Sequence, residues 1–123
     1  MLRIMCAAVI FSIVASASVR AEPQSLVDIM VTLEHEAADL DRMRQGFCPT
    51  LPGQIRCNLD FINAHLAVMH LTTACGELLI AVYSGSEADL KIAEDEVAIA
   101  REGVNKHMSV LLQRYGDFSV PKR

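Results

Sequence analysis

Between Cys57 and Ser84 the chain reads CNLDFINAHLAVMHLTTACGELLIAVYS, without a proline and with apolar residues on three adjacent helical rows. The first row is Leu59, Ile62, Leu66, Met69, Thr73, Gly76, Ile80 and Tyr83. The second is Phe61, His65, Val68, Thr72, Cys75, Leu79 and Val82. The third, Ala64, Ala67, Leu71, Ala74, Leu78 and Ala81, is built largely of small residues. A surface helix needs one broad apolar stripe, so two or more adjacent rows require a central helix covered on two sides. Asp60, Asn63, His65, His70 and Glu77 are too many polar groups for a bilayer core, which argues against a membrane span.

The remainder of the chain supplies partners for that helix. Residues 25 to 46 carry the apolar row Leu26, Met30, Leu33, Ala37, Leu40 and Met43. Ser25 is the expected N-cap with Asp28 three residues on, and Gly46 is the expected C-cap. Glu34, Glu36, Asp39 and Asp41 are expected to face water, with Arg42 and Arg44 at the end where the dipole favours cations. After Gly85 and the capping Ser86, residues 87 to 115 carry the row Leu90, Ala93, Val97, Ala100, Val104, Met108, Leu111 and Tyr115, and Gly116 ends the helix. Glu87–Lys91 and Glu102–Lys106 have the spacing and order of favourable pairs along it. Helical periods throughout, no Trp and no alternating apolar pattern make the chain all-α. Short connections make neighbours antiparallel, so the expected architecture is an up-down-up three-helix bundle. Its alternative is four shorter helices, with a break near Gly76 where Thr72 and Thr73 are also weak helix formers.

Residues 1 to 21, MLRIMCAAVIFSIVASASVRA, have the three parts of an export signal. Arg3 gives the positive start and Ile4 to Val14 the apolar centre. Val19 and Ala21 suit cleavage after Ala21, with cleavage after Ala17 the alternative. What remains, residues 22–123, is one helical domain expected in a periplasm or outside the cell. Loss of Arg3 and Arg20 leaves nine basic residues against fifteen acidic ones, a net charge of −6. Nucleic acid is therefore excluded as a partner, as is a membrane after cleavage.

The loop GFCPTLPGQIRC cannot be helical across Pro49, Pro52 and Gly53, and Cys48 and Cys57 bracket it at two adjoining helix ends. An export compartment favours a Cys48–Cys57 disulfide. Cys75 lies about 27 Å beyond Cys57 along one helix and is expected reduced and buried.

No catalytic motif appears: there is no nucleophile elbow, phosphate loop, HExxH or CxxC. The chain is expected to be no enzyme and to hold no cofactor. Its expected function is binding a protein partner, or a second copy of itself, through the central helix. The third row, with small residues that admit a facing helix closely, is the expected interaction face. The tail, through Phe118 and Val120, is the alternative cover for it. A different function would be metal binding. His65 lies in an inward row, the antiparallel pairing sets His107 level with Asn63 to His65, and Met69 and Met108 are nearby thioethers suited to a soft metal.

Overall fold

The computed structural model describes residues 23–116, so the signal segment and the tail bearing Phe118 and Val120 lie outside the described residues. Three helices make up the fold: α1 (Pro23–Phe47), α2 (Gln54–Ser84) and α3 (Glu87–Tyr115), with a 3-10 turn at Cys48–Thr50. The order is up, down, up, as the helical rows require, and no strand occurs among the described residues.

The helix ends follow local chemistry, with corrections at α1. That helix begins at Pro23, not after Ser25, since a proline in the first turn gives up no helical hydrogen bond. It also runs through Gly46 to Phe47, with Pro49 in the following 3-10 turn preventing further extension. At the other turn, Gly85 takes φ 71°, a left-handed cap that its missing Cβ permits, and its N–H donates to the Ala81 carbonyl. The Ser86 hydroxyl accepts from the Asp89 N–H at 3.3 Å and starts α3. Along α3, Lys91 pairs with Asp95 at 2.7 Å rather than back with Glu87.

α2 is one unbroken helix, so the four-helix alternative is not adopted. Thr72 and Thr73 bond the carbonyls of Val68 and Met69 one turn back, which keeps their hydroxyls satisfied within the helix. A Cβ at Gly76 would stand 3.4 Å from the Met30 Cε, so the glycine accommodates α1. α1 and α3 both pack on α2, yet no Cα of α1 comes within 8 Å of one in α3. Leu26, Leu33 and Leu40 from α1 and Val97 and Leu111 from α3, all almost wholly buried, fill the core beside α2. Glu36 is buried rather than facing water, because it sits between Leu33 and Leu40 at the edge of the buried stripe.

Candidate binding face

Two of the three rows on α2 are covered, and they are the second and the third. Ala64, Leu71, Ala74, Leu78 and Ala81 are buried and Ala67 is partly so. The expected interaction face is thus the inside of the bundle, and that reading is corrected. Ala64, Ala74 and Ala81 on α2 and Ala93 and Ala100 on α3 are all buried in the core between the helices, with Ala81 and Ala93 lining one pocket, and small residues at a contact are what let two backbones approach.

The row of large residues is the one left outside. Ile55, Leu59, Ile62, Leu66, Met69, Ile80 and Tyr83 are exposed, Leu66 by 57%, Ile80 by 70% and Tyr83 by 76%. Val27 and Val31 on α1 and Ile92 and Ile99 on α3 are exposed as well. Ile92 shares with Ile80 a shallow pocket of about 210 Å³, rimmed by Glu77 and Asp89. By length and hydropathy α2 passes the test for a helix able to cross a membrane. Its second and third rows are nevertheless committed to α1 and α3, and the apolar outer row has exposed polar neighbours, Asn63 and His70 among them.

At the disulfide end a polar cluster ties α3 to α2. Cys48 and Cys57 are joined, their Cα atoms 5.5 Å apart, and Cys75 is reduced and buried, as expected. One turn along from Cys57, buried Asp60 accepts two hydrogen bonds from Arg114 Nη1 at 2.8 and 2.9 Å and one from the Tyr115 hydroxyl at 2.6 Å. Arg56 adds a looser ion pair at 3.5 Å. Burial pushes the Asp60 carboxyl up, but hydrogen bonds from Tyr115 and Arg114 and the charges of Arg114 and Arg56 outweigh it and hold the group below its ordinary value. The Tyr115 hydroxyl is pushed up to about 12 by burial and by its bond to the Asp60 carboxylate. Its ring packs on Phe47 and Phe61, with centroids 5.8 and 5.9 Å away. An open pocket of about 440 Å³ lies beside the cluster, between the loop at Leu51 to Gly53 and Tyr115. The sequence gives one local signal for the cluster, an aspartate directly beside a large inward aromatic.

The alternative metal ligands stand apart. His65 Nδ1 donates to the Ala37 carbonyl at 2.8 Å, so it is engaged with α1. His107 is on α3, Met108 is buried in the core and Met69 is on the outer face. Among the described residues no three His, Cys, Asp or Glu side chains gather where one ion would touch them. Burial pushes the Cys75 thiol up to about 11, which makes it a poor thiolate donor at neutral pH.

No protein-family model matches this chain, and neither a curated protein nor a solved structure does.

Proposed function

We propose that this chain is a small exported helical module that binds another protein through the outer face of α2. The observation that carries the reading is the exposed row of large apolar side chains from Ile55 to Tyr83. Soluble monomers seldom expose so many large apolar side chains along one side of a helix, and surfaces of that kind mark interaction sites. The signal-like first 21 residues and the Cys48–Cys57 bridge support an oxidising compartment, periplasmic or extracellular. The bundle supplies a rigid support, because α2 is held by α1 and α3 along its length.

The test is retention on immobilised protein. Residues 22–123, oxidised, are coupled and exposed both to a native-compartment extract and to the free chain, beside a Leu66→Glu variant with the same melting temperature. Retention of a defined protein by the natural sequence and its loss with Leu66→Glu is the expected result. Retention that ignores Leu66, or none from either source, overturns the reading.

A further inference from the structure

We propose that the occupant of the α2 outer face is a second copy of this chain, its α2 antiparallel across a two-fold axis passing between Leu66 and Met69. This rests on the binding reading above and names the partner.

Extent comes first. From Ile55 to Tyr83 the row is about 40 Å long at the helical rise, broken at Thr73 and Gly76, and with the flanks of α1 and α3 beside α2 the whole face is about 20 Å wide, or roughly 800 Å². That is the area each partner contributes to a specific interface of ordinary size. A closed two-fold pair buries the same patch on both copies and leaves none exposed.

The antiparallel direction follows from shape and charge. Setting Ile55 over Ile80 of the second copy also sets Leu66 over Met69 at the centre, while Leu59 and Ile62 lie over the smaller Gly76 and Thr73, so large side chains meet at the middle and both ends and large meets small between them. Ile80 forms a wall of the shallow pocket that Glu77 rims, so each Ile55 arrives at a concave place. About such an axis each flank of the row meets the same flank of the other copy. Arg56 lies on the α3 flank, where its guanidinium pairs with Asp60, itself bonded to Arg114. Glu77 lies on that flank too, since it borders the pocket with Ile92 and Asp89 of α3. The register therefore brings Arg56 of each copy within a helical turn of Glu77 of the other, twice. A parallel pair sets like charges level with each other and has no such match. The net charge of −6 on residues 22–123 makes an anionic membrane surface the poorer occupant.

Sedimentation velocity of oxidised residues 22–123, over about 1 to 100 μM, tests the proposal in a range where ordinary two-fold pairs dissociate. The natural chain is expected to shift from monomer to dimer. Arg56→Glu alone and Glu77→Arg alone are each expected to weaken the dimer about tenfold. Equimolar mixing of the two variants restores it, because both cross-pairs are then opposite in sign. No described hydrogen bond depends on Glu77, so Glu77→Arg alone carries the charge test if Arg56→Glu, beside Asp60, fails to fold. Monomer at every concentration overturns the inference, as does weakening without rescue on mixing. Flotation of a monomer with neutral or anionic phospholipid vesicles, dependent on Leu66, also overturns it. If the chain is monomeric yet retains a foreign protein through Leu66, the second copy is excluded and the binding reading stands.

Discussion

At the scale of single residues, Asp60 holds three partners at once, Arg114 and Tyr115 of α3 and Arg56 of α2, the first across 54 positions of sequence. Its stability contribution has a definite pH signature. The folded carboxyl sits below its ordinary value of 3.8, so its contribution is complete above that value. It is lost as pH falls through the lower folded value. Tyr115 has the opposite sign: raised from 10.0 to about 12, it contributes fully below pH 10 and loses that contribution as pH climbs toward 12. Cys75, raised to about 11, has an alkaline loss of its own, so the comparison belongs in a Cys75→Ala background. There, Tyr115→Phe is expected to lower stability at neutral pH by about 1 kcal/mol, the modest value set by a partly exposed hydroxyl. It should also flatten the fall between pH 10 and 12 in urea titrations. An unchanged alkaline limb means that Tyr115 does not titrate against Asp60. None of this was visible in the sequence beyond an aspartate next to Phe61, because the partner arginine is supplied by a distant helix end.

Among the elements, α2 tests how far periodicity reaches. Its central place, its C-cap at Gly85, the Ser86 cap of α3 just beyond it and its disulfide to the turn that ends α1 all follow from local patterns, and the structure has them. Which rows lie inside does not follow, because hydrophobicity marks an arc without saying where its neighbours sit. Volume decides it: alanines at the contact let α1 and α3 come close, and the large row is left over. Cutting Leu71, now known to be interior, to Ala is expected to cost about 2–5 kcal/mol, whereas Ile80→Gln on the outer row stays within about 0.5 kcal/mol when measured on the monomer at high dilution. Equal costs at the two sites place the inside of the bundle elsewhere. Reduction of Cys48–Cys57 frees the end of α1 from α2 and, across a separation of nine positions, is expected to remove about 2–3 kcal/mol. Urea curves with and without dithiothreitol read that difference directly.

For the whole molecule, the opposing facts are an apolar outer face and a chain of residues 22–123 carrying −6. Burying the face drives two copies together, while their net charges hold them apart at long range. Salt affects these unequally. Between about 50 and 500 mM sodium chloride the screening length shrinks from roughly 14 Å to about 4 Å, which removes most of the repulsion between the two bodies. The Arg56–Glu77 cross-pairs are also weakened, but exposed pairs of this kind contribute only about 0–1 kcal/mol each. Apolar burial does not weaken with added salt. Dimerisation is therefore expected to tighten as sodium chloride rises, and the melting temperature to depend on protein concentration, since a partner that binds only the folded state stabilises by mass action. Both effects should vanish together in Leu66→Glu. A dimer that instead falls apart in high salt would be held by charge, and the apolar row from Ile55 to Tyr83 would not be what joins it.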